Sequence, residues 1–191
     1  MGRNDRWKPL SPEHKRYLSE EIARQLPLAR KGPCTAWAYR IIDNYLWFWT
    51  ADGEDEQGEI GRDALKYSFD FLWHSEAACG LSRAECAAGR PEEAATDPRH
   101  EHAVPKRLIQ DRLLRSPGID ANEVMAVLEQ HCRAVILTNE EDKKLNKYFR
   151  NSMPSPWDID DPGAEPFARY RHPSVGLFGK LHPPRSRAVT P

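Results

Sequence analysis

The chain has 191 residues, of which 39% are hydrophobic, 30% charged and 9% aromatic, as in an ordinary single domain. Its 28 Lys and Arg residues against 29 Asp and Glu residues give a net charge of -1, which excludes a strongly basic chain that coats nucleic acid. No apolar run approaches the roughly 20 residues of a membrane helix, and the charged N-terminus is unlike a secretory signal peptide. We therefore expect a cytoplasmic protein without a membrane partner.

Residues 1–90 are predicted to form a helical region. A cap-type Ser11 followed by Pro12 opens the first helix, which we expect to end near Arg24. Aromatic and aliphatic residues predict a central helix from Thr35 to about Thr50. Periodic apolar positions predict further helices at about 60–78 and at 81–89, with a solvated acidic loop before them at 51–63.

The four cysteines are scattered along the chain and form no CxxC pair: Cys34, Cys79, Cys86 and Cys132. A chain of this length does not need a disulfide framework, so we expect small buried apolar residues. A zinc site built from His100 and His102 with His131 or Cys132 is the less favoured alternative.

After a linker or exposed loop at residues 91–98, the pattern becomes mixed. The stretch "HEHAVP" predicts a short strand closed by Pro105, and "RAVILT" predicts a second, β-branched strand. Three amphipathic helices are predicted, of which two begin with the capping pairs Asp120–Glu123 and Thr138–Glu141. We therefore predict a predominantly helical α+β fold in one globular unit, in which residues 99–151 contain a minimal antiparallel hairpin and helix and the Pro-rich tail 152–191 wraps over the domain.

The richest cluster of chemically active residue types is Arg99-His100-Glu101-His102, with Lys106 close behind. Carboxylate oxygens hold Mg²⁺ or Mn²⁺ against a phosphate, and a neighbouring imidazole can take a proton from water. On an extended strand, the two histidines project to one face and Glu101 to the other.

This pattern resembles the ββα-metal signature of the HNH nucleases. "EHAVP" is similar to the first half of the signature, in which an acid-His or His-His pair ends a strand. "RAVILTNEEDKKLNK" is similar to the second half, a strand followed by a helix with an Asn near the junction and another on the helix. The resemblance covers residues 99–147.

The resemblance implies a metal-dependent nuclease that hydrolyses DNA or RNA, with Mg²⁺ or Mn²⁺ as cofactor and zinc less favoured. It implies that His102 is the general base, that Asn139 braces the loop holding it, and that Glu101 and Asn146 are the metal ligands. It further implies phosphate contacts from Lys143 and Lys147, and weaker nucleic-acid contacts from Arg99 and Lys106.

The same residues also have ordinary structural roles that the sequence leaves open. Glu101 can pair with Arg99 or Lys106 at the surface, and His102 can be a buried histidine with satisfied hydrogen bonds. The alternative function is that of a non-enzymatic, mostly helical protein that binds another protein, which the near-neutral charge favours. Residues 100–191, with 14 basic and 12 acidic residues, are slightly basic, which favours the nuclease.

The tail mixes aromatic and basic residues: Trp157, Phe167, Arg169, Tyr170 and Arg171. Such a mixture can stack on single-stranded nucleic acid, or it can anchor a tail on a core. We favour anchoring.

Overall fold

A computed structural model describes residues 6–31, 35–79 and 98–184. It shows the predicted helix-rich α+β fold. The main helices are α1 (Pro12–Lys31), α2 (Thr35–Ala51), α3 (Lys106–Arg115), α4 (Ala121–His131), α5 (Asn139–Phe149) and the short α6 (Ala168–Arg171). The strands are β1 (Lys8–Pro9), β2 (Gly53–Glu54), β3 (Ile60–Gly61), β4 (Trp73–Ser75), β5 (Arg99–His102), β6 (Ala134–Leu137) and β7 (Leu181–His182).

Helix α1 packs against α2 and α4, and both α1 and α2 contact α3. Helix α1 continues past its predicted end at Arg24 and through Pro27, because the apolar stripe continues with Leu26 and Ala29, both buried. Helix α2 matches its prediction and places Ile42 and Leu46 in the same core. The aromatic-rich segment is therefore a central helix.

The helix predicted at about 60–78 is wrong. The chain there forms β3, a series of turns and β4. Asp63 has a φ of 54°, in the left-handed region, and its backbone N–H donates to Oδ1 of Asp52 over 2.9 Å. Tertiary pairing of β4 with two other strands overrides the local helical pattern. The helix predicted at 81–89 and most of the linker at 91–98 lie outside the described residues.

The acidic loop is more ordered than predicted, since it contains the β2–β3 hairpin. Asp52 and Asp55 are each only 7% exposed. Oδ1 of Asp55 accepts the backbone N–H groups of Gln57 and Glu59, and its other oxygen pairs with Arg6. These carboxylates therefore hold the turn together, although most of their neighbours are solvated as expected.

The predicted pair of strands, β5 and β6, is present and antiparallel, with Glu101 opposite Val135 and His102 opposite Ala134. The sheet is larger than predicted, because β4 pairs parallel to β6 and β7 pairs with β4, giving the order β5-β6-β4-β7. Both predicted capping boxes are present, at the starts of α4 and α5. Helix α5 packs against β5, which completes a strand–strand–helix unit.

The tail is anchored, as predicted, and its anchors are Phe167, Arg169 and Tyr170. Tyr170 and Arg169 are fully buried, and Phe167 is 8% exposed. The aromatic rings pack with Val135 and Leu137 of β6 in one apolar cluster. The tail therefore completes the core beneath the sheet.

Candidate functional site

A cavity of about 750 Å³ opens where β5 ends and α3 begins. It brings together four of the residues singled out in the sequence: Glu101, His102, Lys106 and Asn146. The remainder of its wall comes from α2, α3 and the end of α5: Tyr39, Asp43, Pro105, Arg107, Gln110, Asp111, Arg150 and Asn151. Residues from four separate elements thus converge on one cavity.

Strand alternation positions the two histidines. His100 and His102 project toward α2, where the hydroxyl of Thr50 lies 3.0 Å from Nε2 of His100 and 3.2 Å from Nε2 of His102. The indole ring of Trp47 packs beside both imidazoles. Glu101 projects to the other face, toward the tail.

Backbone carbonyls fix which nitrogen of each imidazole carries the proton. Nδ1 of His100 lies 2.8 Å from the carbonyl oxygen of Lys66, and Nε2 of His102 lies 3.3 Å from that of Leu46. A carbonyl only accepts, so each of these nitrogens is the N–H donor of a neutral ring. Nδ1 of His102 is therefore the nitrogen that keeps a lone pair.

Burial keeps both imidazoles neutral at physiological pH. Burial lowers the pKa of His100 from 6.5 to about 4, against the opposing effect of its hydrogen bond to Lys66. Burial also lowers the pKa of His102 well below its ordinary value, and the neighbouring His100 and Lys106 add to the shift. His102 is thus neutral at pH 7, and the same burial makes it a weaker base than an exposed imidazole.

Glu101 pairs with Arg169. Nη2 of Arg169 lies 2.9 Å from Oε1 of Glu101, and the arginine is fully buried. The same guanidinium donates to the carbonyl oxygens of Ala103, Phe149 and His102. Burial raises the pKa of Glu101, while the positive charge of Arg169 opposes the shift. The carboxylate therefore already has a cation beside it.

Asn146 lines the cavity, whereas Arg99, Asn139, Lys143 and Lys147 do not. Nδ2 of Asn146 donates to Oδ1 of Asp142 over 2.8 Å. Asn139 begins α5 and accepts from the guanidinium of Arg99 at 3.3 and 3.4 Å, so its contact is with the start of β5 and not with the loop after His102. Lys143 and Lys147 are exposed on α5 and do not line the cavity.

The pairing of Glu101 with Arg169 does not fit the metal site that the resemblance implies, because the guanidinium occupies Oε1 of the carboxylate. Asn146 donates to Asp142 through Nδ2, so this contact does not engage its amide oxygen, the atom that would bind a metal. Among the described residues, no group of three or more His, Cys, Asp or Glu side chains could hold a metal ion. Cys132, proposed as a zinc ligand, is buried and directs its thiol to the carbonyl of Leu46.

Several cavity residues were not predicted from the sequence. Asp43 accepts from Nζ of Lys106 over 2.8 Å, and the two are 63 positions apart in the chain. Helix α3 starts with Lys106 and Arg107 and has no capping side chain, which is unfavourable beside the positive end of the helix dipole. Two basic residues at the positive end of a helix therefore indicate that their charges are stabilised by a contact elsewhere, as Lys106 is by Asp43. Nothing local marked Tyr39, and the aromatic and basic pattern of the tail marked Arg169 as an anchor but not as the partner of Glu101.

Comparisons with protein-family models, with curated proteins and with solved structures found no match to this chain. Within the described ranges, no helix combines the length and the apolar character needed to cross a membrane.

Proposed function

We propose that the protein is a phosphodiesterase that acts on nucleic acid, with a ββα-nuclease-like unit as its catalytic element. The observation that carries the proposal is the convergence of Glu101, His102 and Asn146 on one cavity beside an antiparallel strand pair and its helix. These residues are up to 45 positions apart, so the sequence alone does not bring them together.

His102 is the general base of the proposed reaction. The carbonyl of Leu46 and the hydroxyl of Thr50 hold Nε2, which leaves Nδ1 as the basic nitrogen of a side chain that lines the cavity. This imidazole is held in one tautomer with a free lone pair, and the negative charge of a phosphate bound beside it would raise its pKa and make it a stronger base.

The cations of the cavity wall bind the phosphate. Lys106, Arg107 and Arg150 line the cavity, where Nζ of Lys106 pairs with Asp43 at 2.8 Å and the exposed Arg107 lies 3.8 Å from Asp111. A lysine fixed by a carboxylate loses less freedom when a phosphate arrives, and its charge offsets the charge that develops on the phosphoryl oxygens.

Cleavage of supercoiled plasmid and of single-stranded RNA tests the proposal, with Mg²⁺, Mn²⁺ or a chelator present. We expect cleavage of at least one substrate, and a loss of about 100-fold or more in His102→Gln. The matched control is His182→Gln, since His182 is exposed on β7 and does not line the cavity. Absence of cleavage under every condition, or equal activity of the two variants, would contradict the proposal.

An apolar groove supports the second candidate function, binding of another protein. The groove has a volume of about 500 Å³ between α3 and the tail, and Leu108, Leu114, Trp157 and Ile159 line it. Grooves of this kind accept an apolar side chain of a partner. The second function is favoured if the cleavage assay is negative.

A further inference from the structure

We infer that the cavity cleaves RNA without a metal ion, by using the 2′-hydroxyl of the substrate as the nucleophile. The inference rests on the proposed function and specifies its substrate class. It starts from the pairing of Glu101, which lines the cavity, with the fully buried Arg169, which places a positive charge in contact with the carboxylate expected to bind a metal.

Water is a poor nucleophile unless a metal ion or a strong base activates it. The candidate metal ligand Glu101 is paired with Arg169, whose positive charge disfavours a second cation on the same carboxylate, and the described residues contain no group of three or more His, Cys, Asp or Glu side chains that could hold a metal ion. A ribose 2′-hydroxyl needs less activation, because it is already held next to the phosphorus and reacts intramolecularly. DNA lacks this group. The arrangement therefore selects RNA.

Three side chains of the cavity supply the groups that such a reaction requires. His102 supplies the base, through Nδ1. Lys106 supplies a positive charge that Asp43 holds at 2.8 Å. Tyr39 lies one helical turn before Asp43 on α2 and also lines the cavity, so its phenol is on the same side of the helix as the lysine's partner.

Tyr39 is the proton donor. Burial is the largest cause that raises the pKa of its phenol above 10.0, and Asp111 adds to the shift. The phenol is therefore protonated at neutral pH, as a general acid must be before the step. An alkoxide leaving group is a stronger base than a phenolate and can take this proton.

The reaction is an intramolecular transesterification. The 2′-oxygen forms a bond to phosphorus while its proton passes to Nδ1 of His102, and Lys106 stabilises the negative charge on the phosphoryl oxygens. The bond from phosphorus to the 5′-oxygen breaks, and that oxygen takes the proton of Tyr39. The products are a 2′,3′-cyclic phosphate and a free 5′-hydroxyl. Solvent then returns a proton to Tyr39 and removes one from His102.

The test uses the full chain with three oligonucleotides in excess EDTA: an RNA, the same RNA with one 2′-deoxy nucleotide, and the DNA of the same sequence. We expect cleavage of the RNA to 2′,3′-cyclic phosphate ends, no cleavage at the deoxy position, and intact DNA. RNA cleavage that leaves 5′-phosphate ends, or requires Mg²⁺ or Mn²⁺, would overturn the inference and leave the proposed function standing. Cleavage of none of the oligonucleotides, with or without metal, overturns both.

Substitutions of Tyr39 and Lys106 test the roles proposed for these two side chains. Tyr39→Phe and Lys106→Gln are each expected to lower the rate of RNA cleavage by about 100-fold, with the protein still folded by circular dichroism. The matched controls are Tyr17→Phe and Lys8→Gln, whose side chains lie outside the cavity. Full activity of Tyr39→Phe would overturn the assignment of the acid.

Discussion

The guanidinium of Arg169, in the Pro-rich tail, lies 2.9 Å from the carboxylate of Glu101, at the opposite end of the site in sequence. The arginine also donates to the carbonyl oxygens at the end of β5 and at the end of α5. One buried side chain therefore ties the tail, the strand and the helix together beneath the cavity. Removal of either partner leaves a charge in the interior without compensation.

Arg169→Met is expected to destabilise the protein by about 3–5 kcal/mol, because it leaves the carboxylate of Glu101 unpaired and three carbonyl groups without their donor. The double variant Arg169→Met/Glu101→Gln is expected to recover part of the loss, since no charge is then left unpaired. Urea denaturation of the four proteins of this cycle measures the coupling.

The control for this cycle is Arg171→Gln, in the same short helix. Its side chain is 51% exposed and pairs with Glu165 at the surface, so we expect a change within about 1 kcal/mol. Additive effects of the Arg169 and Glu101 substitutions would show that the pair does not stabilise the fold.

Thr50 is expected to stabilise the fold through its hydroxyl, which serves both histidines. The hydroxyl donates to the carbonyl oxygen of Trp47 over 3.2 Å and lies within hydrogen-bond distance of Nε2 of His100 and Nε2 of His102. Thr50→Val keeps the shape and removes the hydroxyl, so we expect a loss of about 1–3 kcal/mol in the free energy of unfolding. Thr50→Ser keeps the hydroxyl and should lose less. A valine variant as stable as wild type would contradict the hydrogen-bond assignment.

The free energy of unfolding is expected to decrease as the pH is lowered, because His100 is buried in its neutral form. Its pKa is about 4 in the folded protein and 6.5 in the unfolded chain, so the unfolded state binds the proton more tightly. The contribution of the neutral ring is full above pH 6.5 and disappears as the pH falls toward 4. We expect the free energy of unfolding to drop more steeply over this range in wild type than in His100→Gln. Parallel denaturation curves would contradict the folded pKa.

The ring nitrogens of His102 are expected to show one tautomer. Proton–nitrogen correlation spectra at pH 7 should give a protonated Nε2 and an unprotonated Nδ1, because Leu46 and Thr50 hold Nε2. His100 should show the opposite pattern, since its Nδ1 donates to Lys66. A protonated Nδ1 on His102 would remove the proposed base.

Local signals allowed much of the site's framework to be predicted. The β-branched run of β6 and the capping box of Thr138 and Glu141 fix a strand followed directly by a helix. The short strand before Pro105 was predicted from the proline that closes it. The alternation of its side chains separates Glu101 from the two histidines. Period and capping are local properties, so the sequence contains them directly.

The rest depends on contacts between distant residues. The segment at about 60–78 has a helical apolar pattern, but pairing of Trp73 and His74 with β6 makes part of it a strand. The cation beside Glu101 is also distant, since Arg169 is 68 positions away. No local pattern distinguishes an arginine buried by tertiary packing from one on a solvated surface.

The most direct test of the central claim is to locate where a phosphodiester binds. A dinucleoside monophosphate without 2′-hydroxyl groups cannot be cleaved by the proposed route, and its titration can be followed in spectra of the ring resonances. We predict that the signals of His102 and Tyr39 shift with saturation, while those of His182 and Tyr17 stay in place. Saturable shifts confined to residues outside the cavity, or no shifts at millimolar ligand, would contradict the assignment of the cavity as a phosphodiester site.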